Sequence, residues 1–379
     1  MFSFIKKLFK KNLLWHNIKL KKMLINNESY RTIWFDRKKE EVKIIDQTKL
    51  PFYLEIVSLN NLEDVINAIN LMQVRGAPLI GATAAYGVYL AYRELKDKNK
   101  IIEQANKIKN TRPTAINLFW AVDNMLSVIK DNLSSSEIEK NLLDQANKIC
   151  EDDINRCKKI GELGFKIIES LHNKKGKVNI LTHCNAGWLA TIDWGTATAP
   201  IYFAKKNNLN VHVWVDETRP RNQGASLTSY ELNNENIANT IITDNAAGIL
   251  MQRGEIDLCI VGADRVIVSG DVINKIGTFL KAIAAKEFNI PFYVTIPLNT
   301  IDWKTKNFRD VEIEERSSNE LRKIKGLDEK NNLRTVDVYP KDSKAYNPAF
   351  DITPMQFVTK LITNKGIINA NINEILKLK

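Results

Sequence analysis

A chain of 379 residues, 44% hydrophobic and 26% charged, has the composition of a soluble globular protein long enough for two domains. No stretch approaches the roughly 20 consecutive apolar residues of a transmembrane helix, which argues against a membrane-spanning protein. The formal net charge of +11 is local: residues 1–22 hold seven lysines and no acid, and the rest holds 48 basic against 44 acidic residues, so the body has no electrostatic signature of a nucleic-acid binder.

Residues 1–22 read as a basic, apolar extension. It is either loosely held, with Met23 opening the first domain, or a tail that touches a membrane surface or a partner. The first reading is favoured because termini are usually loosely tied. No small-residue cleavage site suggests a secretory signal. Two β-like runs, Arg31 to Phe35 and Val42 to Ile45, followed by Leu50-Pro51, predict a small antiparallel piece. From Asn61 the period becomes helical: Leu62, Val65, Ile66, Ile69 and Met72 recur at three- and four-residue spacing. Further helices are expected over 79–96, 114–131, 135–150 and 151–173, with Pro113 suited to the first turn of one of them.

The period changes again at Lys177. Strand-like runs at 178–181, 211–215, 240–243, 257–261, 292–296 and 335–338 alternate with helical runs at 195–207, 223–233, 245–253, 274–288 and 354–363. Such alternation predicts a parallel sheet covered by helices. The expected fold class is therefore α/β: a helical N-terminal domain with a small β piece over 23–173, then a Rossmann-like parallel-sheet domain over 174–379. Cys150, Cys157, Cys184 and Cys259 have no framework spacing and read as reduced thiols of a cytoplasmic protein.

Several strand ends carry polar groups, Cys184, Asp216-Glu217, Asp244 and Asp264, and ligands of open α/β sheets sit at the carboxyl ends of strands. Cys184, between His183 and Asn185, is either a reactive thiol or a core filler. Asp264, after Gly262-Ala263, is either a general acid or base, or a cap paired with Arg265. Cys184 and Asp264 are expected to face each other across one small-molecule site. Arg75-Gly76-Ala77-Pro78 precedes a helix rich in small residues, a setting that suits a phosphate. Arg112-Pro113-Thr114 reads as a second arginine at a helix start, and Asn274-Lys275 as the opening of another helix. The polar stretch Asp216 to Gly224, which includes Gln223, is a solvated turn or a substrate-contacting loop. No zinc spacing, glycine-rich nucleotide fingerprint or P-loop occurs, so no metal or nucleotide cofactor is expected.

Taken together these segments resemble the methylthioribose-1-phosphate isomerases of methionine salvage and methionine biosynthesis. That family shares its fold with the alpha, beta and delta regulatory subunits of a eukaryotic translation-initiation exchange factor. The resemblance rests on Arg-Gly-Ala-Pro at 75–78, Arg-Pro-Thr at 112–114, Thr-His-Cys-Asn-Ala-Gly at 182–187 and Glu-Thr-Arg-Pro-Arg-Asn-Gln-Gly at 217–224. It continues through Asp-Asn-Ala-Ala at 244–247, Gly-Ala-Asp-Arg at 262–265, Asn-Lys-Ile-Gly-Thr at 274–278 and Asn-Pro-Ala-Phe-Asp at 347–351.

It implies a cofactor-free aldose–ketose isomerase that converts 5-methylthioribose 1-phosphate into 5-methylthioribulose 1-phosphate and is usually a homodimer. It further implies that Cys184 and Asp264 are the catalytic pair, and that Arg75, Gly76, Ala77, Arg112, Gln223, Asn274 and Lys275 bind substrate. Trp188 and Trp194 after the cysteine, and Leu79 after Arg-Gly-Ala-Pro, depart from the family pattern and are expected to reshape the pocket at carbon 5. That keeps 5-deoxyribose 1-phosphate or another pentose 1-phosphate open as substrate, whereas ribose 1,5-bisphosphate, a separate alternative, needs a second anion site near carbon 5 that an apolar, tryptophan-lined pocket argues against. A non-catalytic regulatory subunit is the third alternative.

Overall fold

The computed structural model describes residues 23–112 and 115–379. The expected basic extension and Pro113 lie outside these residues. Strands β1 (Ile33–Asp36), β2 (Glu41–Ile45) and β3 (Ile56–Leu59) form an antiparallel sheet in that order. The first two match the expected runs, and β3 adds a strand the alternation did not suggest.

Helix α1 (Leu62–Asn70) is capped by Asn61, whose side chain accepts from the Asp64 N–H, and buries Leu62, Val65, Ala68 and Ile69. Helix α2 (Ala77–Leu95) is buried on almost every side, as its small residues allow. Helix α3 (Lys100–Thr111), missed in the sequence, presents only the narrow apolar stripe Ile101, Ala105 and Ile108. Helix α4 (Ile116–Leu126) packs on α2. The two helices expected over 135–173 are one, α5 (Ser135–Lys175), 41 residues long. The division expected at 150–151 is absent, and Asp153 is buried within the continuous helix. A capping box at Ser134 and Glu137 starts α5, and Gly176, in the left-handed region at φ 74°, ends it.

The large sheet contains β4 (Val178–Thr182), β5 (Val211–Asp216), β6 (Asn239–Ile242), β7 (Leu258–Val261), β10 (Phe292–Ile296) and β15 (Lys360–Thr363), with β16 (Ile367–Ile368) at one edge. A smaller arm holds β8 (Arg265–Ile267), β9 (Val272–Lys275), β11 (Ile301–Asp302) and β14 (Phe350–Thr353). A separate antiparallel hairpin joins β12 (Lys323–Leu327) and β13 (Leu333–Asp337). The spatial order of the large sheet is β16-β15-β10-β7-β4-β5-β6, and its pairs are parallel except β15–β16. This is the 3-2-1-4-5-6 order of a doubly wound sheet, and the chain direction switches between β4 and β7.

Three expectations change here. The strand expected at 335–338 belongs to the hairpin, where Val336 and Val338 stay exposed. The sixth parallel strand is instead β15, inside the run expected as a helix over 354–363, which has only a single helical turn at Met355–Phe357. The helix expected over 274–288 begins at Thr278, as α9 (Thr278–Glu287), because 272–275 pair as a strand. In all three cases a short apolar run fits either period, and pairing partners far along the chain decide.

Helices α6 (Ala199–Lys206), α7 (Ser229–Asn234) and α8 (Ala247–Gln252) follow β4, β5 and β6 in turn. Alternation along β4 and β7 divides the core. Ile180, Leu258 and Ile260 join a cluster that also contains the N-terminal helices, while Leu181, Cys259 and Val261 join one with α8 and β10. Cys259 is thus a core filler, and Cys150 and Cys157 are buried free thiols in α5.

Candidate active site

β4 and β7 are neighbours, so the residues that follow them leave the sheet at its switch point. The first of these is Cys184. It is 8% exposed and adopts φ 64°, a left-handed conformation that disfavours any side chain. Two hydrogen bonds hold it there: its N–H donates to Thr218 Oγ1 at 2.8 Å, and its carbonyl accepts from Thr228 Oγ1 at 2.7 Å. The thiol donates to Gln223 Oε1 at 3.5 Å. Burial pushes the thiol above its usual range, while Arg75 and Lys275 pull it back. It therefore stays protonated at neutral pH.

Asp264 follows β7 through Gly262-Ala263, and its N–H donates to the Ile273 carbonyl at 3.0 Å. Its side chain lines a small cavity with Ala77, Ile80, Arg112 and Phe350. Burial raises the carboxyl, against Lys275, Arg112 and Arg75. Lys275, the last residue of β9, sits with its ammonium 4.8 Å from the Phe350 ring centre. Burial lowers it, while its proximity to Cys184 and Asp264 acts in the opposite direction. Cys184, Asp264, Lys275 and Arg75 thus lie within electrostatic reach of one another.

Arg75 is 7% exposed and donates to both the side-chain and backbone oxygens of Asn185, the latter at 2.6 Å. Gly76 caps α2 at φ 90°, where an added Cβ would lie 2.5 Å from the Ala190 carbonyl oxygen. Close approach of α2 to the loop after Cys184 therefore requires glycine. Ala77 is the first residue of α2, so the helix N-terminus opens toward the Asp264 cavity. Arg112 does not open a helix as expected. It follows the last residue of α3, and its guanidinium bonds Glu314 at 2.8 Å. Asn274 and Lys275 close a strand rather than open a helix, and Asn274 donates to Thr278 Oγ1 at 3.0 Å. Gln223 and Arg75 also line a larger cavity of about 340 Å³ on the solvent side.

The initiation factor 2 subunit family model matches residues 73–370. The chain belongs to this family. The methylthioribose-1-phosphate isomerase of Methylorubrum extorquens is 50% identical, with 92% of this chain and 96% of that protein covered. Among solved structures, 5-methylthioribose 1-phosphate isomerase from Pyrococcus horikoshii OT3 is 36% identical with a TM-score of 0.80, covering 93% of this chain and 96% of that one. A protein described as translation initiation factor eIF-2B, subunit delta, from A. fulgidus is 40% identical with a TM-score of 0.77, covering 92% and 100%.

In this member of the initiation factor 2 subunit family, several residues at the site had no sequence signal. Glu314 joins Arg112 to Arg316, which bonds Glu320 at 2.7 Å, and Glu320 in turn bonds Arg221 at 3.0 Å. This network fixes three cavity-lining arginines. Glu231 accepts from Asn185 Nδ2, the Trp188 and Leu189 N–H groups and the Tyr202 hydroxyl, all within 3.2 Å. Burial lifts its carboxyl to about 7.

The tryptophans differ from expectation. Trp188 is fully buried in the core and Trp194 stacks on Phe203 at 4.8 Å, so both indoles turn away from the cavities that hold Arg75, Gln223 and Asp264. Leu79 is likewise a core residue of α2. His183, Asp216 and Asp244 bring donor atoms within 4.8 Å of one another. Most of those atoms are already engaged: His183 with Asp216 Oδ2 and the Ile276 carbonyl, Asp244 with the Thr218 and Arg219 N–H groups, and Asp216 Oδ2 also with Lys281, while Asp216 Oδ1 is buried without a partner. The set fits a hydrogen-bond relay better than a metal.

Proposed function

We propose that the chain is a cytoplasmic aldose–ketose isomerase that converts 5-methylthioribose 1-phosphate to 5-methylthioribulose 1-phosphate and works as a homodimer. The observation that carries this reading is the juxtaposition of a buried thiol and a buried carboxyl from neighbouring strands, Cys184 and Asp264, inside a ring of cations. Exposed Ile249 on α8 and Leu280 and Ile283 on the adjoining α9 offer an apolar face for the second copy.

The substrate's 1-phosphate locks its ring, so the ring must be opened before hydrogen can move. Asp264, raised by burial, gives its proton to the ring oxygen as the bond from carbon 1 to that oxygen breaks. Carbon 1, still bearing the phosphate, is left electron-poor. Hydrogen from carbon 2 then moves to carbon 1 with its electron pair, and the carbon 2 hydroxyl returns a proton to Asp264 as the ketone forms. The alternative route removes the hydrogen as a proton to Cys184 and passes through an enol. A thiol kept protonated by burial is a poor base, which supports the hydride route. Arg75, Arg112, Lys275 and the α2 N-terminus hold the phosphate, and the buried setting keeps water from the open intermediate.

A second substrate, ribose 1,5-bisphosphate, is favoured by one feature: Arg219, Arg221, Lys323 and Lys325 also line the larger cavity, against the single acid Glu320. Offering methylthioribose 1-phosphate, 5-deoxyribose 1-phosphate and ribose 1,5-bisphosphate side by side tests the reading. The highest kcat/KM is expected for the first. Preference for the bisphosphate overturns the methylthio assignment, and turnover of none of them overturns the enzyme reading in favour of a regulatory subunit.

A further inference from the structure

His183 precedes Cys184, yet its ring turns into the interior. It is 1% exposed, and both ring nitrogens are engaged: Nδ1 with Asp216 Oδ2 at 2.8 Å, and Nε2 with the Ile276 carbonyl at 2.9 Å. A carbonyl only accepts, so Nε2 carries a hydrogen. The ring is therefore fixed in the orientation that presents Nε2–H to Ile276. Asp216 is fully buried at the end of β5, and the Lys281 ammonium from α9 lies 3.3 Å from the same oxygen.

Ile276 is the residue after Lys275. The turn it begins packs directly on the imidazole, since a Cβ on Gly277 would lie 3.1 Å from His183 Cε1. On its far side the turn is tied to Asp351, which accepts from the Gly277 N–H at 2.7 Å and the Phe279 N–H at 3.2 Å. One bond thus connects the residue before Cys184 to the residue after Lys275.

We propose that His183, oriented by Asp216 and Lys281, is a positioning residue that sets Lys275 at its working distance from Cys184. The proposal rests on the isomerase reading for the role of Lys275 in holding the substrate phosphate. A one-ångström error in such a group is costly to binding and turnover. The β9–β14 ladder ends at Lys275, and beyond it the Ile276 N–H donates to the Ala349 carbonyl at 3.1 Å, so Ile276 is held by the strand on one side and by His183 on the other.

Two variants separate positioning from mere packing. In His183→Gln the amide nitrogen reaches the place of Nε2 and keeps the bond to Ile276. In His183→Asn it reaches only the place of Nδ1 and keeps the bond to Asp216. The full-length enzyme is assayed with methylthioribose 1-phosphate, and thermal unfolding of each variant is recorded beside it. His183→Asn is expected to raise KM about 10-fold or more with a smaller change in kcat, and His183→Gln to stay within about 3-fold of the parent. Unchanged KM in a folded His183→Asn, or an equal rise in both variants, overturns the proposal. Should the parent turn over no sugar phosphate, the isomerase reading has failed on its own. Crystal structures of the two variants then decide: displacement of Lys275 in His183→Asn alone supports the positioning role, and an unmoved Lys275 refutes it.

Discussion

Cys184 occupies a backbone conformation that costs a non-glycine residue on the order of 1–2 kcal/mol, and two hydrogen bonds, one donated to Thr218 and one accepted from Thr228, offset that cost. Strain held this way aims the thiol at Gln223 and the cavity instead of along the strand. Asp264 is aimed by a different device, the short turn between β7 and β8, with its N–H tied to β9. Each group is displaced from its ordinary acidity mainly by burial, in the direction that keeps its proton. We expect Cys184→Ser and Asp264→Asn each to abolish turnover while leaving the circular dichroism spectrum and the unfolding midpoint close to those of the parent. Near-normal activity in either variant removes that residue from the chemistry.

The loop from Asn185 to Gly195 is the element on which the site is built. Its polar atoms are gathered on Glu231, and its Asn185 carries Arg75. Gly187 makes this possible: a Cβ there would lie 1.7 Å from Glu231 Oε2. Gly187→Ala is therefore expected to lose about 2–3 kcal/mol of stability and most activity, measured by thermal unfolding and by turnover. A stable, active alanine variant would show that Glu231 can leave the loop without consequence. This element was only partly legible. The motif around Cys184 marked a strand end, but Glu231 lies over forty residues away in an ordinary helical run. Periodicity separates apolar faces and carries no information about which buried carboxylate a distant loop will need.

Across the molecule, three carboxylates are buried at that loop, Asp193 within it and Glu231 and Asp153 against it, and burial raises each of them. Glu231 goes from 4.5 to about 7, and Asp153 and Asp193 each go from 3.8 to about 6. Between those limits the folded chain binds more protons than the unfolded one, so stability falls as pH rises through the window and levels off above it. Glu231 alone accounts for on the order of 3 kcal/mol. The unfolding midpoint is expected to drop between about pH 5 and about pH 8, and Glu231→Gln to flatten that slope. A midpoint that climbs over the range would contradict the raised values.

The sequence by itself determined the class of the fold, the parallel strands β4, β5, β6, β7 and β10, and the two strand ends that deliver Cys184 and Asp264. Those features are local: an apolar run, its period and the polar residue that ends it are written in consecutive positions. Only the tertiary structure decided that β15 is the sixth parallel strand and that Arg112 answers to Glu314. It likewise decided that the tryptophans face the core, and that His183 reaches past Cys184 to the turn after Lys275. Each of these depends on a partner tens to hundreds of residues away, and such a pairing is fixed by packing in three dimensions rather than by the spacing of residues along the chain.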